Sequence, residues 1–338
     1  MNQKIIFDTR VLTHKKYTGV ENYTEEILSR LPNDSCLLAK PRFANKLYAH
    51  FWTHFILPFQ PGNVLFCPSN IAPLFIPKSK KLIVTIHDLA YLQFPDNFSF
   101  LFKLYYRLLI PRTIKQATTI IAVSHFSKEQ IMKYFPKAKD KIEVVSLGCS
   151  AVFRQERRTK SSQALFVGSL SERKNLFALL QIFDQITQYS LVVVGNMNAN
   201  FRLSQESLST LEKARRSDNI HFVQTASNGE LAQLYNKSTL LILPSFYEGF
   251  GMPLLEAMSC GTPVLCSNVA SLPEVGADAA MYCDPYDMQD MQDKILTIFK
   301  DEKLQKTLTQ KGLERVKQFS WERSAKRHWE IFEQASSL

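Results

Sequence analysis

Glycine is scarce in this chain, at 11 of 338 residues against 24 phenylalanines. That excludes a collagen-like repeat, and the 45% hydrophobic and 21% charged residues exclude a disordered chain. Long apolar runs are missing as well. The longest, such as 239–244 and 108–111, fall far below the roughly 18 residues that a spanning helix needs. The start, MNQKIIFDTR, lacks the apolar core of a secretory signal. The six cysteines (Cys36, Cys67, Cys149, Cys260, Cys266 and Cys283) form no Cys-x-x-Cys pair and no His-paired zinc spacing. They are expected to be reduced, buried, small side chains of a cytosolic protein. Asp-x-Asp occurs nowhere. Acidic residues are sparse in the first half. Residues 1–150 hold 20 Lys and Arg against 10 Asp and Glu, while 151–338 hold 21 of each, so the whole net charge of +10 lies in the first half. A basic half beside a neutral one points to an anionic partner, such as a membrane, a phosphorylated substrate or nucleic acid, or simply to a solvated basic surface.

What is present is alternation. The length suggests two domains. Apolar patterning predicts strands at 5–7, 63–67, 81–86, 119–123 and 142–145. It predicts a turn at 17–19 and a helix over 20–31, with Val20, Tyr23, Ile27 and Leu31 at helical spacing and Pro32 closing it. A helix over 124–134 starts at Ser124, a favourable N-cap. QERRTKSSQ (155–163) has the composition of a linker, and the pattern then restarts. Strands are predicted at 164–167, 191–194, 220–223, 239–243 and 263–266, with a loop at 168–175 and helices over 176–189, 230–236 and 253–259. Residues 288–319 read as largely helical. The tail 320–335 reads as amphipathic, with Trp321, Ala325, Trp329 and Phe332 along one face. Such alternation predicts an α/β protein with doubly wound, mostly parallel sheets.

The sharpest segment is LILPSFYEGFGMPLLEAMSCGTPVLC (241–266). A strand ends near Pro244, a loop carries Glu248, Gly249, Phe250 and Gly251, and a helix comes next with Glu256 placed in its first turn. Glycine amides and a helix start suit an anion, and two carboxylates beside them suit a polyhydroxylated ligand. Upstream, Arg173 and Lys174 follow a strand and precede a helix, the arrangement of a second anion site.

EGFGMPLLE resembles the Glu-x7-Glu motif of retaining glycosyltransferases of the GT-B fold, specifically of family 4. TGVENY (18–23) is similar to that family's amino-terminal glycine loop, and IHDLAYLQFPDNFS (86–99) to a segment of its polysaccharide mannosyltransferase-like members. IAVSHFSKEQI (121–131), VGSLSERKNL (167–176) and SLPEVGADAA (271–280) resemble further family segments, in the family's order. The chain departs from the family at Gln224-Thr225-Ala226, where relatives more often carry a glycine.

The resemblance implies two Rossmann-like doubly wound domains facing a central cleft. Residues 1–153 with a C-terminal helix at 320–338 would form the acceptor side, and 154–319 would bind a nucleotide sugar. It implies that Arg173 and Lys174 hold the donor diphosphate, that Glu256 meets the ribose and that Glu248 meets the transferred sugar. Gly249, Phe250 and Gly251 would offer backbone contacts to that sugar, Gly168 would lie in the phosphate segment, and Gly19 would permit close approach to the diphosphate. His87 would contact the donor sugar near the reacting carbon, with Asp88 orienting it or capping the next segment. Without Asp-x-Asp, the metal-bridged diphosphate of the other main glycosyltransferase fold is not expected, nor is any cofactor. The expected donor is a nucleotide-diphosphate sugar, GDP-mannose first. The expected acceptor is a sugar hydroxyl on a lipid-linked surface glycan. His14, His50, His54, His125, His221 and His328 are read as structural. Two stretches, 40–59 and 98–115, interleave aromatics with Lys and Arg. They read as core helices with snorkelling ends or, with the one-sided charge, as an anionic membrane contact. The expected location is cytoplasmic and peripheral on the inner membrane face, without nucleic acid. A sugar-nucleotide epimerase, a phosphorylase and a non-catalytic basic binding protein are the competing readings.

Overall fold

The computed structural model describes residues 5–13, 19–32, 35–43, 45–157, 159–197 and 203–337. His14 and the first two residues of the expected turn, Tyr17 and Thr18, lie outside them. Two compact units form. One comprises Met1–Leu89, Lys103–Gly148 and Ser320–Leu338, the other Ala90–Phe102 and Cys149–Phe319.

The first unit is built on a six-stranded parallel sheet of β1 (Ile5–Asp8), β2 (Cys36–Ala39), β3 (Val64–Cys67), β4 (Lys81–Ile86), β5 (Thr119–Ala122) and β6 (Ile142–Val144). Their order is β2-β1-β3-β4-β5-β6. β1, β3 and β4 are almost wholly buried, which explains their unbroken apolar sequences. Two of this unit's elements gave weaker sequence signals. β2 is short and half-exposed, and the helix Lys46–Phe55 starts at Asn45, whose side chain accepts from the Leu47 and Tyr48 amides.

The second unit repeats the architecture with β7 (Ser161–Val167), β8 (Ser190–Val194), β9 (Ile220–Val223), β10 (Ser238–Leu243), β11 (Val264–Ser267) and β12 (Met281–Cys283), in the order β12-β11-β10-β7-β8-β9. Central β10 sets Leu241 opposite Leu165 of β7 and Val264 of β11. The supposed linker is partly structure. β7 begins at Ser161, Phe153 packs edge-on against Tyr235 at 5.9 Å, and the Asn236 side chain accepts from the Glu156 amide and donates to the Arg154 carbonyl. These contacts tie 153–156 to the second unit, so the division falls at Gly148/Cys149 rather than at 153/154. The long helical stretch breaks at Asp301, which caps the helix Glu302–Arg315.

The C-terminal helix Trp321–Ser337 belongs to the first unit. Its buried face carries Trp321, Ala325 and Phe332 as expected, but His328 in place of the partly exposed Trp329. His328 Nδ1–H donates to the Ser324 carbonyl at 2.7 Å, which leaves Nε2 as an acceptor. Tyr23 Oη–H donates to that Nε2 at 2.6 Å and accepts from Thr85 Oγ1 at 2.7 Å. Three distant segments are thus joined by one directed chain.

Burial, with the nearby His87 charge adding, pulls the His328 pKa to about 4. In the unfolded chain it titrates near 6.5. The unfolded state therefore takes up the proton first, and the stability held above pH 6.5 is lost as the pH falls towards 4. His54, also pulled to about 4, titrates in the same window. In His328→Gln, whose side chain can still accept from Tyr23 and donate to Ser324, that pH-dependent loss should shrink by about 3 kcal/mol. Urea midpoints from pH 7 to pH 4 check this, and an unchanged pH slope contradicts it.

Candidate active site

In a parallel sheet, a crevice opens beyond the carboxyl ends of the two strands where the direction of strand addition reverses. In the second sheet that reversal lies between β7 and β10. The loop after β7 holds Gly168, Arg173 and Lys174, and the loop after β10 holds Glu248 and Gly251. Strand order alone therefore brings together two motifs far apart in sequence. The Phe246 amide donates to the Arg173 carbonyl at 3.0 Å and ties the loops backbone to backbone.

Side chains then close the junction. Lys174 Nζ donates to Glu248 Oε1 at 2.5 Å, and Ser245 Oγ donates to the same oxygen at 2.8 Å. Burial alone would raise the Glu248 carboxyl, but the Lys174 and Arg173 charges and these hydrogen bonds outweigh it and hold the pKa below the ordinary value. Arg173 is buried, donates from Nη1 to the Tyr247 carbonyl at 2.6 Å, and keeps a buried Nε–H without a partner. Ser271 Oγ fixes the Glu248 carbonyl at 3.0 Å. After the short turn Glu172–Lys174, Asn175 adopts a left-handed φ of 53° and anchors its amide on the Pro285 carbonyl, turning the chain into the helix Leu176–Gln185.

Glu256 is placed differently from its expected position. The helix is Met252–Ser259, so Glu256 lies in its second turn, facing inward. Tyr235 Oη–H donates to Glu256 Oε2 at 2.8 Å. Burial lifts the Glu256 pKa to about 7, partly opposed by that hydrogen bond. The two carboxylates of one motif thus differ in state: Glu248 is ionised, and Glu256 titrates near neutrality.

Gly251 precedes this helix with φ +103°, and a Cβ there would come within 2.7 Å of Leu272 Cδ2, so only glycine fits. The Phe250 side chain is buried against Phe319, which leaves its backbone as what it can present. Gly249 lies between Glu248 and Phe250 in the same loop. Gly168 donates its amide to the Val194 carbonyl and lies beneath the Lys174 side chain. Gly195, which the motif reading missed, has φ +154°, and a Cβ on it would collide with the Gly168 carbonyl oxygen at 1.8 Å. Its signal was a glycine directly after the Leu191–Val194 apolar run. Tyr235, Ser245 and Ser271 were also missed, because a lone Tyr or Ser carries no pattern.

His87 belongs to the first unit, directly after β4. Its Nε2–H donates to the Pro68 carbonyl at 2.8 Å, and its backbone N–H donates to Asn70 Oδ1 at 2.8 Å. The ring meets Tyr23 edge-on at 4.9 Å. Burial lowers its pKa, so the imidazole is neutral near pH 7 with Nδ1 as its acceptor nitrogen. Asn70 Nδ2 also holds the Asp88 carbonyl, at 3.0 Å. Ser124 caps the helix His125–Tyr134 through the Ser127 amide, as its sequence position predicts. Gly19 opens the helix Gly19–Leu28, with open space where a Cβ would stand. Among the described residues, no three His, Cys, Asp or Glu side chains group as a metal site.

Residues 151–315 match the family model described as Glycosyl transferases group 1, and residues 64–151 match Glycosyltransferase Family 4. The chain is 31% identical over 257 residues to the O-antigen chain mannosyltransferase B of Escherichia coli, covering 72% of this chain and 68% of that protein. It is 30% identical to the O-antigen chain mannosyltransferase RfbU of Salmonella typhimurium, over 66% of this chain and 62% of that one, somewhat under two thirds of the relative's length. In fold it resembles Alr3699/HepE of Anabaena, crystallised with UDP and glucose, with a TM-score of 0.75 at 17% identity, covering 99% and 100% of the two chains. With two parallel α/β units, matching family models on both and a relative of this identity and coverage, the chain belongs to the GT-B glycosyltransferases of group 1 and family 4.

Proposed function

We propose that this glycosyltransferase moves mannose from GDP-mannose to a sugar hydroxyl of a lipid-linked surface glycan, with retention at the anomeric carbon and without a metal ion. The observation that carries the reading is the junction at the β7/β10 reversal, where Arg173, Lys174 and Glu248 converge. Two cations with a buried, unpartnered Arg173 Nε–H suit a diphosphate. Mannose is supported by the two enterobacterial relatives, both O-antigen chain mannosyltransferases. The UDP of the Anabaena structure belongs to a protein that shares the fold alone, so it does not argue for a uridine donor.

In this reading, the bond between C1 of the donor sugar and the diphosphate oxygen breaks, and the acceptor oxygen bonds to C1 on the same face. The acceptor proton passes to the departing diphosphate. Arg173 and Lys174 neutralise the charge that grows there, acting where charge develops. Glu248 accepts hydroxyls of the transferred sugar while sharing Lys174. Glu256 accepts from the ribose, and backbone groups of Gly249, Phe250 and Gly251 line the sugar. Neutral His87 offers Nδ1 to a sugar hydroxyl near C1. Gly19 and Gly168 leave room for the diphosphate. The enzyme works at the cytoplasmic face of a membrane that carries its acceptor. No helix among the described residues is long and apolar enough to cross that membrane.

Transfer from GDP-mannose should persist in excess EDTA. Complete loss, restored only by Mg²⁺ or Mn²⁺, would refute the account in which side-chain cations hold the diphosphate. Arg173→Ala and Lys174→Ala should each lower turnover by about 10²-fold or more, as loss of a charge-stabilising donor does. Thermal melts should accompany these assays, since Lys174→Ala also strands buried Glu248. Near-normal turnover in both variants removes the assignment.

A further inference from the structure

We propose that the second unit carries a ligand site separate from the β7/β10 crevice. It is a cavity at the amino end of the sheet that holds a small organic monocarboxylate, with the carboxylate on Lys160 and a short apolar body against Pro263 and Leu313.

Parallel strands all begin at one end of a sheet. The starts of the neighbours β7, β10 and β11 therefore lie together, at the end opposite the crevice. Lys160 directly precedes β7, Ser238 opens β10 and Pro263 directly precedes β11. Between these starts and the helix Glu302–Arg315 lies a cavity of about 350 Å³, at the small end of the range for ligand pockets. A second cavity of about 310 Å³ adjoins it and shares Lys160, Gln305 and Lys306. The walls are tied to one another. Thr309 Oγ1 on the helix donates to the Gly261 carbonyl at 3.2 Å, in the turn before β11. Gly261 has φ +67°, and the Gln155 side chain lies so close over it that a Cβ would come within 2.6 Å of Nε2.

Lys160 is a half-buried cation held by neutral groups. Its Nζ donates to the Ser238 carbonyl at 2.9 Å and to Thr262 Oγ1 at 3.2 Å, and Thr262 donates in turn to the Tyr235 carbonyl at 2.6 Å. An ammonium has three N–H groups, so one is left for the cavity that Lys160 lines. Among the described residues, the ionisable group that acts on it is the Cys260 thiol, which burial pushes up to about 12 and which is neutral near pH 7. Burial pulls the Lys160 pKa down to about 8, so near pH 7 the group is still mostly the cation. A charge removed from water calls for an opposite one.

The surroundings select the ligand. One cation matches one negative charge. Glu302 lines the adjoining cavity and pairs with Lys306 at 4.0 Å, so a dianion such as phosphate would meet a carboxylate beside its second charge. Pro263 and Leu313 give the first cavity apolar walls, which suit a short hydrocarbon body.

The test titrates the full chain by ligand-observed NMR with butyrate, with uncharged butyramide and with inorganic phosphate. Butyrate should bind about tenfold or more tightly than butyramide, which cannot take a charged hydrogen bond from Lys160. Lys160→Gln should lose about tenfold or more of the butyrate affinity. Gln310→Glu keeps Lys160 and adds a carboxylate at the exposed rim of the cavity, and should lose about threefold or more. Affinity in the parent protein should fall on the order of tenfold from pH 7 to about pH 9.5, because only protonated Lys160 attracts the anion. A site made of ordinary surface lysines would hold to about pH 10. Melting curves check folding, and if Lys160→Gln does not fold, Gln310→Glu and the pH titration decide. Butyrate binding no better than butyramide, full binding by Lys160→Gln or Gln310→Glu, or an affinity unchanged across that pH range overturns the proposal. So does phosphate that displaces butyrate at concentrations below the butyrate Kd. Arg173→Ala should bind butyrate as the parent does. Loss in that variant would place butyrate at the donor junction and likewise overturn the site, whereas the transfer assays stand or fall apart from it.

Discussion

Lys174 and Glu248 form an ion pair 2.5 Å long with only 12% and 9% of their side chains exposed, and the arrangement of the site follows from it. Charges removed from water are tolerated only when hydrogen bonds and opposite charges surround them. Ser245 and Arg173 supply these to Glu248. The pair spans 74 positions of sequence and exists only because β7 and β10 are neighbours at the reversal of strand order. It holds the cationic turn Glu172–Lys174 against the glycine loop before any ligand arrives. Removing either partner would take away the nearest opposite charge from the one left behind, and breaking a buried pair in this way costs about 3–5 kcal/mol.

A second consequence is that two glutamates of one short motif have different chemistries. Glu248, beside Lys174 and Arg173, has its carboxyl held below the ordinary value, whereas Glu256, against Tyr235 in an apolar helix face, titrates near pH 7. Environment rather than residue type sets the role of each carboxyl. A carboxylate beside Lys174 suits a sugar seated next to a diphosphate. A near-neutral carboxyl, deeper in the helix, suits the hydroxyls of a ribose.

Much of this was legible in the sequence. The buried parallel strand Lys81–Ile86 is an apolar run after its first residue, and that run marks it to the residue. Helix starts were legible where a side chain caps them, as at Ser124. The edge strands β2 and β12 and the helix Gln205–Ala214 were not, although the edge strands β6 and β9 were. β2 is half-exposed, β12 is three residues long, and the helix Gln205–Ala214 has a polar face that dilutes its period. In the site, Glu248, Arg173, Lys174 and Gly251 were legible by motif. Glu256 was set one turn too early, because Pro253 marks the second helical position rather than a first turn that reaches Glu256. Tyr235 and Gly195 act through tertiary approach: one points at Glu256, and the other lets two loops pass without a Cβ between them. No local pattern announces either.

The central claim is that the two carboxylates divide the donor between them. Isothermal titration calorimetry of GDP and of GDP-mannose, on the parent protein, Glu248→Gln and Glu256→Gln, tests it most directly. A lost hydrogen bond to a charged group is worth about 1.5–3 kcal/mol, or about 10- to 150-fold in affinity. Glu256→Gln should weaken GDP and GDP-mannose alike, because both carry the ribose. Glu248→Gln should spare GDP and weaken GDP-mannose. The reverse pattern, with Glu248→Gln losing GDP and Glu256→Gln keeping it, would contradict the assignment of both residues.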